Sequence, residues 1–220
     1  MPPTATLDDI KAYQSKIEKN QISPDVLPAC PRCKVSSSFF KIHAFRERRF
    51  LIIVDFFVTA VYCALIRFIC PGCKKTFTYY PDFAIPYKHY TRQSIIGYAG
   101  AYVETQTATY QQAVITENAV AGYPGSDRTL APSTVHRWIT TLGGFVRTTQ
   151  KVLDLLLQQN PCSSICRNLA LLKIPHQKYK SQRRKNILLN CFKLVVSEKA
   201  FLKTFKTSIF TKFAIRCAFR

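Results

Sequence analysis

Cys30-Pro31-Arg32-Cys33 and, after 36 intervening residues, Cys70-Pro71-Gly72-Cys73 bound the stretch that decides the fold. Two Cys-x-x-Cys pairs flanking a run rich in β-branched and aromatic residues are the pattern of a four-thiolate zinc ribbon. A tetrahedral ion takes one short knuckle on each side, and a hairpin holds the knuckles face to face. Proline at the second position of each pair presets a tight turn, and Gly72 is expected to supply a positive φ beside its sulfurs. Four thiolates on one dication leave a net negative charge, which Arg32, Lys34, Lys74 and Lys75 have the sign to offset. The predicted ligands are therefore Cys30, Cys33, Cys70 and Cys73 on a structural Zn2+. With all four positions filled by protein, none is open to substrate or an activated water.

Disulfides and redox chemistry are the competing readings of these cysteines. Disulfides need an oxidising compartment, yet Met1 to Asn20 is polar, partly acidic and has no apolar leader core. A redox Cys-x-x-Cys usually comes singly at a helix start, whereas here two matched pairs occur. Of the other five cysteines, Cys162 and Cys166 are spaced to stack on one helix face and hold a metal, without a second pair nearby. Free thiols point to a reducing, cytoplasmic interior.

Between the knuckles, Phe50 to Ile66 is apolar except for Asp55 and Thr59, which raises a membrane span as an alternative. Its 17 residues lie at the short limit for a bilayer, arginines sit at its ends, and Val, Ile, Phe and Tyr favour strands. A buried hairpin brings the knuckles together and is preferred. Strands are expected at Ser36–Ile42, Arg46–Val54 and Phe57–Ile69, with a turn near Asp55. Arg46-Glu47-Arg48-Arg49 reads equally as a solvated strand edge or a phosphate contact. Upstream, residues 1–27 read as a solvated leader with a helix from Leu7 to about Lys19, its dipole complemented by Asp8 and Asp9. The ribbon is assigned to residues 28–80.

After it, Pro81 and Pro86 suit a linker. Residues 87–144 change to helical spacing: one helix capped by Thr91 and carrying Ile95, Tyr98 and Tyr102, a second from Thr107 to about Thr116, and a third from Ser133 to Leu142. The third puts Val135, Trp138, Ile139 and Leu142 on one face, while Gly143-Gly144 stops it. Its other face carries Ser133, Thr134, His136, Arg137, Thr140 and Thr141. Short hydroxyls, an imidazole and a guanidinium at a helix N-terminus suit a DNA major groove, so the three helices read as a helix-turn-helix; an ordinary amphipathic helix in a small bundle has the same composition.

Residues 145–220 form a basic helical region. Helices are expected at Phe145–Gln159, from Ser163 or Ser164 to Leu172, and from Ser181 toward Phe205. The region carries 16 Lys and Arg against two acids, out of a chain total of 32 against 12 and a net charge of +20. The dense run Gln177 to Lys185 includes Arg183, Arg184 and Lys185. It is either a phosphate-tracking surface or a solvated face. Hydrophobic residues at 47% exclude wholesale disorder.

Both knuckles, with Arg67-Phe68-Ile69 before the second and Lys74-Lys75-Thr76-Phe77-Thr78 after it, resemble the N-terminal zinc ribbon of bacterial insertion-sequence transposases. Thr134-Val135-His136-Arg137-Trp138 resembles the recognition helix of their helix-turn-helix modules. The layout from about Leu27 to Gly144 is similar to an uncharacterised bacterial family, a domain of unknown function with a ribbon and a helical module. The resemblance implies binding to double-stranded DNA, at transposon ends, with a separate recombinase or transposase as a second partner.

Catalysis is not expected. Two-metal strand transfer needs three converging carboxylates, and after Gly144 only Asp154 and Glu198 remain. Neither a phosphate-binding glycine loop nor a nucleophile elbow occurs. The expectation is an α+β protein with an N-terminal zinc-ribbon hairpin and a helical, DNA-binding remainder. It would act as a non-catalytic, nucleoid-associated accessory or regulator of transposition. The alternatives are a ribbon module that binds protein or RNA, and a transposase remnant without its catalytic domain.

Overall fold

The computed structural model describes residues 7–54, 57–105, 109–114 and 129–213. The chain is mixed α+β, with a three-stranded antiparallel sheet in the order β1 (Lys41–Val54), β2 (Phe57–Ile69), β3 (Thr76–Thr78). The apolar run Phe50–Ile66 lies in β1 and β2 apart from residues 55–56, and among the described residues no helix is long and apolar enough to cross a membrane. Two compact units divide the chain. One contains the described residues within Thr4–Ile52, Thr59–Arg92 and Thr207–Arg220, the other those within Ile53–Val58 and Gln93–Lys206.

In the sheet-bearing unit both faces of β2 are covered from Cys63 onward, where alternate side chains point to opposite sides. Cys63 and Leu65 pack with Phe50, Ile52, Phe83 and Ala84, and this cluster also takes Ile10 and Tyr13 from α1 (Leu7–Glu18). Ile66, Phe68 and Cys70 pack with Leu27, Phe40 and Cys30 on the other side. Residues 7–27 are therefore not a solvated leader: the Leu7 helix and Leu27 close the sheet, whose apolar faces would otherwise meet water.

Other expectations are corrected here. Ser36–Ile42 is not one strand; Ser37–Phe39 makes a 3-10 turn, since Ser36 Oγ accepts from the Ser38 amide and competes with strand pairing. β1 instead runs unbroken from Lys41 through the basic cluster. Thr76–Thr78 pairs with β2, Phe77 opposite Phe68. The proposed linker between Pro81 and Pro86 is core, with Phe83, Ala84 and Ile85 buried. The end of the basic tail also joins this unit: Asp82 Oδ1 accepts from Thr207 Oγ1 and the Ser208 amide, both at 2.9 Å, at the start of the buried turn α8 (Ile209–Lys212).

The helical unit is built around α7 (Gln182–Phe205), which packs on α4 (Pro132–Leu142), α5 (Val146–Gln159) and α6 (Ile165–Ala170). Ser181 caps α7 as expected, its hydroxyl accepting from the Arg184 amide at 3.2 Å. α2 (Arg92–Glu104) follows Thr91 directly, and its Gly100 lies so close to α7 that a Cβ there would sit 3.2 Å from Val195 Cγ1. α3 (Tyr110–Val114) is held by a reciprocal cap in which Thr109 Oγ1 accepts from the Gln112 amide and Gln112 Oε1 from the Thr109 amide. The ends expected for it at Thr107 and Thr116 lie outside the described residues.

α4 starts one residue before the expected cap. Ala131 is its N-cap and Pro132 its first residue, because proline's fixed φ and missing N–H suit that position; Ser133 is the second residue of the helix. α3 and α4 touch, while residues 115–128 between them lie outside the described residues. α6 ends at Ala170, short of Leu172.

Burial fixes how both units respond to alkali. It pushes the Cys63 and Cys191 thiols from 9.0 up to about 12, and with Asp82 pushes the Tyr79 phenol from 10.0 up to about 12. Tyr13 and Tyr102 are raised also, chiefly by burial. A raised acid is protonated in the folded chain where the unfolded chain has lost its proton. The stability these raised groups contribute is therefore whole below pH 9 and falls as pH rises from there toward 12. Urea midpoints at pH 8, 9.5 and 10.5 should descend in that order.

Candidate metal centre

The two knuckles are built alike. The Lys34 amide donates to Cys30 O at 2.8 Å and the Lys74 amide to Cys70 O at 3.0 Å. One residue on, Val35 O accepts from the Cys30 amide and Lys75 O from the Cys70 amide, both at 2.9 Å. Such closure needs a left-handed residue after each pair, and Lys34 (φ 62°) and Lys74 (φ 59°) supply it. Gly72 does not have the positive φ expected of it; it provides room, since a Cβ there would lie 3.3 Å from both Cys33 Sγ and Val35 Cγ2.

The sheet then sets the knuckles against each other. Cys30 Sγ lies 3.4 Å from Cys73 Sγ, Cys33 Sγ lies 3.4 Å from Cys70 Sγ, and all four sulfurs fall within 4.8 Å of one another. A disulfide requires about 2.0 Å, so these are not disulfides. Four sulfurs at tetrahedral corners about 2.3 Å from one ion stand about 3.8 Å apart, inside the observed spread. The four expected ligands thus come together in a cluster compatible with one metal ion.

The surrounding amides prepare that charge. Burial raises the Cys30 thiol, but the Cys33 and Arg32 amides outweigh it and hold it at about 6. At Cys70 burial is likewise outweighed, here by the Cys73 and Gly72 amides and the Cys33 sulfur. The Val35 amide lowers Cys33, yet burial and the other three sulfurs lift it to about 11. Sulfurs this close share negative charge poorly without a cation among them. Cys162 and Cys166 are exposed and gain no further ligand among the described residues.

The residues expected to meet DNA lie in the helical unit. Val135, Trp138, Ile139 and Leu142 are buried, while Ser133, His136, Arg137 and Thr140 are exposed and Thr134 half-buried. Arg183 is exposed. Arg184 is engaged by the protein: Nη1 donates to Thr140 Oγ1 at 2.9 Å and Nη2 to the Tyr110 hydroxyl. Thr140 in turn donates to His136 O at 2.9 Å. The half-buried Lys185 lies 5.6 Å from the Tyr179 ring centroid.

Sequence reasoning missed Tyr110, the hub of this cluster. Its ring stacks on Tyr102 at 4.1 Å and meets the His136 ring edge-on at 5.4 Å. Helical spacing placed Tyr110 on a short helix but gave no sign of its partners. The pairing with Arg184, 74 residues away, leaves no local trace. Burial, and then the nearby Arg184 charge, lower the His136 pKa, so at neutral pH the ring is uncharged and offers one donor and one acceptor.

Residues 30–138, the span from the first knuckle to Trp138, match a family model described as "Domain of unknown function (DUF6431)". No curated protein and no solved structure matches the chain.

Proposed function

We propose that this is a non-catalytic, zinc-stabilised protein that binds double-stranded DNA, serving transposition as an accessory or regulator beside a separate recombinase. The carrying observation is the polarity of α4: a helix anchored by four buried apolar side chains, with Ser133, His136, Arg137 and Thr140 exposed, on a chain of charge +20. Zinc is the metal that four sulfurs at tetrahedral spacing suit best, and with no open position its role is to hold the fold.

Each side chain has a distinct part in this reading. Arg137 reaches a guanine edge, where its planar fork makes two hydrogen bonds. Ser133 and Thr134, in the first turn of α4, bind backbone phosphate through their hydroxyls. Arg183 and Lys185 track the backbone. Arg184 contacts no base; it orients Thr140 and Tyr110. Neutral His136 accepts or donates one hydrogen bond.

The test is a gel shift of the full chain on duplex DNA and on single-stranded RNA at two salt concentrations. Duplex binding with a steep salt dependence is expected, and Arg137→Ala should weaken it by about 1–3 kcal/mol. Preference for RNA, or indifference to Arg137→Ala, overturns the reading.

A further inference from the structure

Beside the first knuckle, the sheet-bearing unit holds a cavity of about 500 Å3 whose lining includes Pro31, Arg46, Arg67, Phe77, Tyr80 and Tyr87. No acidic side chain lines it among the described residues. We propose that this cavity is a nucleotide pocket, in which an unstacked base lies against the tyrosines and its phosphate is held by Arg46 and Arg67. The proposal is independent of the duplex reading, which rests on α4.

Three observations carry it. Tyr87 is 61% exposed, although a large aromatic side chain is normally covered, and its backbone is held at φ 64°. A bulky non-glycine residue in that region is costly and is retained mainly where the position of the side chain matters. Tyr80 stands 6.3 Å away, centroid to centroid, and is braced from behind: the Arg48 guanidinium lies 5.5 Å from its centroid and donates to its hydroxyl at 3.3 Å. The two rings, inclined at 49°, form an open aromatic jaw. Finally, Arg67 lines the cavity beside Arg46 while its Nη2 donates to Thr76 Oγ1, which fixes where the guanidinium stands.

Base, sugar and phosphate together fit this volume, which lies in the range of small-molecule pockets. Stacking on tyrosine supplies affinity that does not depend on salt or base identity, and the arginines supply the anionic end. Arg46 and Arg48 thereby divide the basic cluster of β1 between two tasks, the first facing a ligand and the second fixing an aromatic wall.

The test uses the full chain and fluorescence anisotropy with labelled deoxythymidine decamer, and unlabelled dTMP and phenyl phosphate as competitors. Tyr87→Gly accepts the positive φ and Arg46→Ala changes an exposed side chain, so both variants keep the fold. Each should weaken decamer binding about tenfold, while Tyr87→Phe retains it. Loss on Tyr87→Gly cannot come from net charge, because no charge is removed. Competition by millimolar dTMP identifies free nucleotide as the source, and its absence a strand-borne one; both support the pocket. Unchanged decamer affinity in Tyr87→Gly and Arg46→Ala overturns it, as does phenyl phosphate competing as well as dTMP. Duplex binding sensitive only to Arg137→Ala leaves the DNA reading standing while the pocket fails.

Discussion

Cys70→Ser should release the metal and unfold the sheet-bearing unit. Cys70 is fully buried, gives its sulfur to the tetrad, and packs with Leu27, Phe40, Ile66 and Phe68. Structural zinc contributes apparent free energies of about 10–16 kcal/mol, comparable with or above the ~5–15 kcal/mol that stabilises an ordinary domain. A three-sulfur site keeps too little of that to hold two knuckles that are short turns ending in left-handed lysines. Zinc content, expected near one ion per chain, should fall toward zero, and circular dichroism should lose the strand signal. A chelator added to the unaltered protein should act similarly. Cys63→Ser is the control: Cys63 is buried outside the tetrad, so its loss costs about 1–3 kcal/mol and leaves the metal bound. A chain that folds fully without metal ends the account.

Gly143→Ala is expected to be the most disruptive conservative change in the helical unit. A Cβ at Gly143 would lie 2.4 Å from Ile187 O and 2.8 Å from Ile187 Cγ2. The obstructing oxygen is main chain within α7, so it cannot rotate away; α4 and α7 would have to part. Overpacking of that kind costs about 3 kcal/mol or more, and thermal melts should show it. Gly144→Ala, exposed and with its nearest atom Thr141 O at 3.2 Å, should cost under about 1 kcal/mol. On the proposed duplex reading, Gly143→Ala should also weaken DNA binding, because α4 carries Arg137.

These two residues mark how far the sequence could be read. The knuckles were legible because metal ligation dictates residue type and spacing together. Their left-handed residues were not: the eye goes to Gly72, yet the closing hydrogen bonds place the positive φ at Lys34 and Lys74. Gly143-Gly144 read as a helix stop, whereas Gly143 has φ −64° and is small because another helix passes close by. The apolar face of α4 followed from its period, since burial of a helix stripe is a local property of spacing.

By itself the sequence determined that four sulfurs converge, that the run between them is a hairpin, and that α4 buries Val135, Trp138, Ile139 and Leu142. Only the tertiary structure decided that Ile10, Tyr13 and Leu27 complete the sheet's core, that Thr207 and Ser208 bond to Asp82, that Arg184 is engaged by Thr140 and Tyr110, and that Arg46, Arg67, Tyr80 and Tyr87 surround one cavity. The reason is range. Spacing records contacts along one element, while contacts between segments far apart in the chain depend on how the elements close on one another, and composition carries no record of that.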